Sequence, residues 1–438
     1  MIKRILLSLT LTVLALPLRA EVQIQEVTSP GGLTAWLVED HSIPFVALEL
    51  RFRGGASLDA PDARGATNLM VALLEEGAAE RDARAFAQAT EELAARFGYS
   101  TSDDAVSVSA RFLTESRAAS VDLLRDSLVA PRFDEDAIER VRAQVLAGLR
   151  SDETDPRDIA SREAARLIYG DHPYGSKQEG TPESVAALTR DDLVAAHRAA
   201  LSRDRVYISA VGDITAEELG VLLDHLLGDL PETGAPLPER ADLTLPGGVK
   251  VVEFETPQSV ALFAQPGIDR HHPDFFAAFI LNHILGGGGF ESRLMAEVRE
   301  KRGLTYGVYS YIADKDAAEI WAGSVASAND RVAEAIDVIR AEWTRLRDEG
   351  VTAEELENAK TYLTGAYPLR FDGNGTIASI AVGMQMDGLP TDYIANRNDM
   401  VNAVTLEEIN RVARERLDPG ALTFVVVGQP EGLESTLN

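Results

Sequence analysis

The sequence of 438 residues contains no cysteine. This absence excludes disulfide bridges, thiolate metal sites and thiol catalysis. Positive charge is also scarce, since 42 lysines and arginines stand against 70 acidic residues and the formal net charge is −28. Nucleic-acid binding needs clustered Lys and Arg to neutralise phosphates, so this chain is a poor candidate for it. The acidic surface is explained by solubility or by an attraction for basic peptides.

Long apolar runs are absent except near the N-terminus. Lys3 and Arg4 precede a predominantly apolar run over residues 5–16, and Ala20 supplies a small residue where cleavage is expected. This pattern is typical of a secretory signal peptide over residues 1–20. The run is shorter than the about 20 residues that a transmembrane helix requires. We therefore expect a periplasmic mature chain with no membrane span after signal removal.

An internal duplication is visible as two stretches that align without a gap. The same offset of 216 residues separates Thr189 from Thr405 and Gly212 from Gly428. Each Thr is a suitable N-cap with acidic residues in the following turn, and each predicted helix leads into an apolar strand. Residues 46–48 and 260–262 repeat Val-Ala-Leu at nearly the same offset. Two matches at nearly one offset predict two homologous halves.

The expected fold class is α+β, with two homologous halves that are each a mostly antiparallel sheet covered by helices on one face. Predicted strands open the first half and longer helical stretches follow. Residues 229–247 begin with a stretch rich in Pro and Gly and without periodicity, which is typical of a linker. We therefore predict a first domain over residues 21–228 and a second over residues 248–438.

Several motifs, taken together and in order, carry a family resemblance. They occupy residues 52–59, 65–77, 133–140, 169–175, 285–294 and 297–306. With these motifs the chain resembles the M16 (pitrilysin, or insulinase-like) metallopeptidases, in particular the short bacterial type related to the mitochondrial processing peptidase. The resemblance covers nearly the whole mature chain and implies the two-half fold already expected.

The resemblance also implies where a zinc site would lie in the first half. Catalytic members carry His-x-x-Glu-His on a helix and a distal Glu as the third protein ligand. In this sequence the two histidine positions fall on Asn68 and Ala72, the general base falls on Val71, and the distal ligand falls on Gly148. A zinc site of this type needs three protein donors, and these side chains do not supply them. We expect no metal in this chain and zinc in a partner subunit.

In the second half, family members carry an Arg and a Tyr seven residues apart that reach the active site. Arg299 and Tyr306 match this spacing. A guanidinium offers a fixed fork of donors to a peptide carbonyl, and a phenol can stabilise charge that develops on it. We expect Tyr306 to lie on a strand over residues 304–313. Lys301 and Arg302 are alternatives for the cationic role, and only the spacing favours Arg299.

Four consecutive glycines precede this pair. The segment is not a phosphate-binding loop of the P-loop type, because no Gly-Lys-Ser/Thr follows it. In the family a glycine-rich segment here borders the substrate cavity, although a tight helix-to-helix turn explains it equally well. The substrate-binding candidates are Gly286, Gly287, Gly288 and Gly289.

These expectations combine into a non-catalytic, substrate-binding subunit of a periplasmic heterodimeric peptidase. The partner would be an M16 subunit with His-x-x-Glu-His, and peptides would be the substrates. One alternative is a structural or peptide-binding protein of the same fold with no role in proteolysis. Another is an active protease with unconventional ligands, which the missing zinc donors argue against.

Overall fold

The computed structural model describes residues 22–437. The first half contains β1 Gln25–Thr28, β2 Thr34–Glu39, β3 Phe45–Arg53, α1 Ala66–Ala72, β4 Gly77–Ala78, β5 Arg81–Asp82, α2 Ala83–Glu92, β6 Arg96–Thr101, β7 Ala105–Leu113, α3 Arg117–Val129, α4 Glu135–Asp152, α5 Pro156–Tyr169, α6 Pro182–Ala187, α7 Arg190–Ala200, β8 Val206–Gly212 and α8 Ala216–Leu227. The second half contains β9 Gly248–Glu253, β10 Gln258–Pro266, α9 Phe275–Asn282, β11 Val308–Lys315, β12 Ala318–Ala328, α10 Val332–Glu349, α11 Ala353–Ala366, α12 Asn374–Met386, α13 Tyr393–Ala403, α14 Leu406–Arg416 and β13 Thr423–Gly428.

Each half is built on one large sheet, and the two sheets have the same topology. The first runs in the order β1-β2-β8-β3-β7-β6, and the second in the order β9-β13-β10-β12-β11. The equivalent pairs β2–β8 and β9–β13 are parallel, whereas the other neighbours are antiparallel. Only β1 has no counterpart in the second sheet. The predicted α+β fold with two homologous, mostly antiparallel halves is confirmed.

The helix and strand that revealed the duplication have matching ends. Thr189 and Thr405 each form a reciprocal capping box, so α7 and α14 begin with their first backbone N–H groups satisfied. Gly212 and Gly428 end the two equivalent strands with φ of 138° and 150°. A Cβ on either glycine would collide with the neighbouring central strand. Glycine at this position therefore allows β8 and β13 to approach β3 and β10 closely.

Strand alternation explains the main core of each half. In β3, Val46, Leu48 and Leu50 are buried in the cluster that the first half's own helices complete. Ala47 points to the opposite face, where it belongs to a different apolar cluster. Successive strand side chains point to opposite faces, so one strand serves two separate cores.

The second face of each sheet is covered by a helix from the other half, whereas the sequence predicted cover on one face. Helix α5 of the first half packs against β10 and β13, and helix α12 of the second half packs against β3 and β8. Ala160 of α5 shares an apolar cluster with Val427, and Ala378 of α12 shares one with the equivalent Val211. The two halves therefore exchange equivalent helices, and neither sheet is fully covered without the other half.

The segment between the halves has no helix or strand over residues 231–247. Its backbone is nevertheless held by both halves, since the N–H of Ala235 donates to the carbonyl of Ala199 and the N–H of Ala241 donates to that of Ala317. Within residues 22–437, no helix combines the length and the apolar character that crossing a bilayer demands.

Candidate functional site

Helix α1, which carries the first-half site positions, is fixed at its start by a carboxylate from the preceding loop. Asp59 accepts hydrogen bonds from the backbone N–H groups of Gly65 and Thr67, each at 2.9 Å, and from the Thr67 hydroxyl at 2.6 Å. These bonds satisfy donors that a helix N-terminus leaves open. Burial raises the pKa of Asp59 above its ordinary value, although the bonds from Thr67 act in the opposite direction. Asp59 thus fixes the start of α1.

The side chains at the zinc positions do not fit a metal. Val71 is only 3% exposed and packs in the core of the first half, whereas Ala72 is exposed and has no polar atom on its side chain. Asn68 is half-buried on the same helix. Gly148 on α4 is exposed, and a Cβ there would meet only open space. Across residues 22–437, no group of three His, Asp or Glu side chains is arranged to hold a metal ion.

In the second half, Arg299 lies at the end of a π-helical turn, Met295–Glu300. Its guanidinium carbon is 4.6 Å from the ring centre of Phe290, which follows the last of the four glycines. Phe290 is itself 65% exposed. The structure thus joins the glycine-rich segment to Arg299 through a cation–π contact at the surface.

The two cationic neighbours of Arg299 have a different environment. The Lys301 ammonium is 2.6 Å from one carboxylate oxygen of Glu297, and the Arg302 guanidinium is 2.7 Å from the other. Hydrogen bonds from Lys301 and Arg302 hold the pKa of Glu297 below its ordinary value. In the described part of the chain, no carboxylate lies within ion-pairing distance of Arg299. Of these three cations, Arg299 is therefore the one that is free to bind an external acceptor.

The glycine-rich segment is seated on β11 by a buried polar network. The side-chain oxygen of Asn282 accepts hydrogen bonds from the Ser310 hydroxyl and the Trp321 indole, each at 2.8 Å. Asn282 leads into a second π-helical turn, His283–Gly287. A Cβ on Gly286 would lie 2.7 Å from the backbone nitrogen of Ser310, so the turn can approach the strand only with glycine there. This packing gives Gly286 a structural role.

Beyond Gly286, only the last glycine of the segment is open. A Cβ on Gly287 would lie 2.7 Å from the side chain of Asn282, and one on Gly288 would lie 2.7 Å from the carbonyl oxygen of His283. Gly289 has φ of 60° and nothing within 4 Å of a Cβ. The segment therefore begins as a packed π-helical turn and ends as exposed backbone beside Phe290.

Arg293 ties the start of the Arg299 turn to helix α11. Its guanidinium donates two hydrogen bonds to the Glu355 carboxylate, at 2.7 and 2.8 Å, and a third to the carbonyl of Gly350. Burial alone would raise the pKa of Glu355, but the bonds from Arg293 and Thr352 outweigh it and lower the pKa to about 2. This bidentate pair fixes the segment on which Arg299 stands.

Tyr306 is not on the strand where the sequence placed it. Strand β11 begins at Val308, and Tyr306 lies in the preceding turn with 88% of its surface exposed. The Thr305 hydroxyl holds this turn by donating to the carbonyls of Gly307 and Ala326. On an extended strand Tyr306 would have shared the buried face of Val308, which is incompatible with its exposure.

Two aromatic residues of this surface were not predicted from the sequence. Phe290 forms the cation–π contact with the Arg299 guanidinium. The exposed Tyr362 of α11 stacks on His283, with ring centres 5.2 Å apart. The position of Phe290 directly after four glycines was an available signal. Tyr362 is distant in sequence, and only the packing of α11 brings it to His283. Together these groups offer an exposed surface of π faces and one unpaired cation.

Comparison with known sequences identifies the family. A sequence profile described as "Insulinase (Peptidase family M16)" matches residues 34–181, and a profile described as "Peptidase M16 inactive domain" matches residues 187–363. A crystal structure of a peptidase M16 inactive domain from Pseudomonas fluorescens is 30% identical and superposes with a TM-score of 0.87, covering 95% of this chain and all of that one. The chain belongs to the M16 peptidase family.

Relatives of similar length are known from bacteria. The chain is 26% identical to the non-peptidase homolog YmxG of Helicobacter pylori, over 97% of this chain and 98% of the relative. It is also 26% identical to the uncharacterized zinc protease YmxG of Bacillus subtilis, over 90% of this chain and 95% of the relative. With Asn68, Ala72 and Gly148 at the ligand positions, which do not supply the three protein donors of a zinc site, this chain is similar to the inactive members of the M16 family.

Proposed function

We propose that the chain is the substrate-binding subunit of a periplasmic M16 peptidase and that a second M16 chain with His-x-x-Glu-His supplies zinc and the general base. In this pair, Arg299 and Tyr306 reach the partner's active site. The exposed backbone around Gly289 borders the peptide-binding chamber. The signal-peptide pattern of residues 1–20 supports the periplasmic location, although those residues lie outside the described part of the chain.

The observation that carries the proposal is the environment of Arg299. Arg299 and the two residues that follow its turn, Lys301 and Arg302, are cations, and Glu297 forms ion pairs with the latter two but not with Arg299. An ion-paired guanidinium would be a weak donor to a substrate, whereas one that rests on an aromatic ring keeps its planar fork of N–H groups open. The geometry thus supports the residue that the family spacing selects.

Each residue has a definite chemical role in the proposal. The guanidinium of Arg299 donates hydrogen bonds to a carbonyl of the bound peptide and holds its backbone in place. The phenol of Tyr306 donates a hydrogen bond to the carbonyl oxygen on which negative charge develops during attack by water. Because Tyr306 is exposed in a turn, it can contact a partner subunit. A residue on the buried face of β11 could not make such a contact.

The test is to mix the purified chain with a purified M16 chain that carries intact His-x-x-Glu-His and to measure peptide hydrolysis. We expect the mixture to hydrolyse peptides faster than the zinc-bearing chain alone. Arg299→Ala and Tyr306→Phe should each lower the activity of the mixture about tenfold or more, because the first removes the donors that position the peptide backbone and the second removes a donor to the developing charge.

Two neighbouring substitutions serve as matched controls. Lys301→Ala removes a cation that is ion-paired with Glu297, and Tyr309→Phe removes the hydroxyl of another exposed tyrosine. Both should leave the activity of the mixture within about twofold of the unmodified pair. If Arg299→Ala and Tyr306→Phe behave like these controls, the proposed roles are wrong. If the chain stimulates no zinc-bearing partner, the structural alternative without a role in proteolysis is favoured.

A further inference from the structure

A cavity of about 350 Å³ lies where the exchanged helix α12 meets both halves of the molecule. Its walls come from β3 of the first half and from α9, α12 and α13 of the second half. It shares no lining residue with the Arg299 surface. Its size is within the range of pockets that hold small organic ligands.

One wall is a continuous alternation of guanidinium groups and aromatic rings. Arg270 lies 5.3 Å from the ring centre of Phe275, which stacks at 6.2 Å on Phe279. Arg397 lies between two rings, 5.4 Å from the centre of Phe279 and 4.5 Å from that of Tyr367. Guanidinium groups are held in such contacts by attraction to the ring faces, which also fixes their orientation. The wall therefore presents planar donors beside apolar surface.

The charge lining the cavity is unbalanced. Four arginines but only one carboxylate line it, in a chain whose net charge is −28. The carboxylate, Asp387, is engaged by Arg270 at 3.1 Å. Arg51 reaches the cavity from β3, and its buried Nε has no hydrogen-bond partner among the described residues. Arg370 is exposed at the cavity.

Among the four arginines that line the cavity, Arg397 is a deeply buried one without an ion-pair partner in the part of the chain that the structure describes. It is only 6% exposed, and it donates hydrogen bonds to the carbonyl of Leu363 and to the side-chain oxygen of Asn398. No carboxylate of residues 22–437 lies within ion-pairing distance of it. Burial lowers the pKa of Arg397, the neighbouring Tyr393 and Tyr367 raise it, and repulsion from Arg370 and Arg270 again lowers it. Buried charges are ordinarily paired, so this guanidinium is suited to an anionic ligand.

We propose that this cavity binds an aromatic carboxylate, with the carboxyl group at Arg397 and Arg370 and the aromatic body against Phe275, Phe279 and Tyr367. The guanidinium fork matches a carboxylate, and the rings favour a flat apolar body. Such a group is carried both by small aromatic acids and by a peptide that ends in an aromatic residue. The inference is independent of Arg299 and Tyr306 and holds whether or not the chain assists a peptidase.

The experiment is calorimetric titration of the purified full-length mature chain with two matched compounds. N-acetyl-L-phenylalanine carries the carboxylate, and N-acetyl-L-phenylalanine amide has the same body without the charge. We expect the acid to bind about tenfold tighter or more, since hydrogen bonds to a charged group contribute at least this much. Octapeptides that end in phenylalanine, as free acid and as amide, distinguish the two sources: tighter binding of the peptide acid than of the small acid assigns the site to peptide C-termini.

Variants then locate the site. Arg370→Gln removes an exposed cation of the cavity and should weaken binding of the acid about fivefold or more, with little effect on the amide. Arg397→Lys keeps the charge but loses the planar fork, and should weaken it further. Arg414→Gln is the matched control, because Arg414 is exposed on α14 outside the cavity. If Arg397→Lys does not fold, Arg370→Gln and its control decide the question.

Three outcomes would overturn the proposal. Equal binding of acid and amide would show that the charge is not recognised. The absence of binding up to about 10 mM would show that the cavity takes no ligand of this class. Competition by an equal concentration of inorganic phosphate, with no effect of Arg370→Gln, would reduce the interaction to general attraction for anions.

Discussion

The two halves of the molecule place equivalent helices after equivalent strands but use them differently. Helix α1 follows β3, and its Val71, where the family resemblance places a catalytic base, is packed in the core. Helix α9 follows β10 and continues into a π-helical turn that carries the glycine-rich segment towards the surface. The two sheets share one topology because the alternate side chains of their strands are buried in the cores. The segments that follow the strands are less constrained by this packing and differ between the halves.

The largest expected effect concerns the site position that became core. Val71→Glu should lower the free energy of unfolding by about 3 kcal/mol or more, because it buries a carboxylate without a partner. The control is Ala72→His on the exposed side of the same helix, which should change stability by less than about 0.5 kcal/mol. Denaturant unfolding monitored by circular dichroism measures both. Equal midpoints for the two variants would show that the first-half site is still open.

A second prediction tests the exchange of helices between the halves. Ala160→Leu and Ala378→Leu each insert a larger side chain between a helix and the other half's sheet. Overpacking at such contacts costs about 1–3 kcal/mol, and the duplication predicts similar losses for the two variants. Ala195→Leu, at an exposed position of α7, is the control and should be nearly neutral. A large loss in only one variant would mean that the two contacts are not equivalent.

A third prediction concerns the pair that anchors the Arg299 turn. The pKa of Glu355 is lowered to about 2 in the folded chain, below its ordinary value of 4.5. Its stabilising contribution is therefore fully present above pH 4.5 and is lost as the pH falls towards 2. Glu355→Gln should cost roughly 1–2 kcal/mol at pH 7, after allowance for partial exposure, and progressively less below pH 4.5.

The control for this pH dependence is Glu357→Gln on the same helix. Glu357 is largely exposed, and its contact with Lys360 is long at 3.7 Å. Surface pairs of this kind contribute little, so the variant should match the unmodified chain at every pH. A loss for Glu355→Gln that does not change with pH would contradict the assigned role of the Arg293–Glu355 pair.

The smallest expected effect is that of zinc removal on the thermal stability of the isolated chain. Because Asn68, Ala72 and Gly148 cannot complete a three-donor site, the isolated chain should hold no stoichiometric zinc by elemental analysis. A chelator should leave its thermal midpoint unchanged, whereas a metal that bound the folded state would shift the midpoint with concentration. One equivalent of tightly bound zinc would revive the alternative of a protease with unconventional ligands.

Much of the relation between the two halves could be predicted from the sequence. The repeat from Thr189 to Gly212 and from Thr405 to Gly428 predicted two homologous halves because caps and strand ends are local features. The motifs identified the family, and Ala72 and Gly148 at two of the ligand positions predicted an incomplete zinc site, because a side chain without donors cannot ligate a metal in any fold. The distinction between Arg299 and Arg302 could not be made in this way, since it depends on which guanidinium Glu297 reaches.

The sequence by itself determined the fold class, the duplication and the missing metal ligands, since these follow from side-chain chemistry and short-range periodicity. Only the tertiary structure decided that α5 and α12 are exchanged, that Tyr306 stands in a turn, and that Arg397 lies between two rings beside other arginines. The physical reason is distance along the chain. Contacts such as Ala160 with Val427, or Arg51 near α12, are set by packing between sheets that no local pattern records.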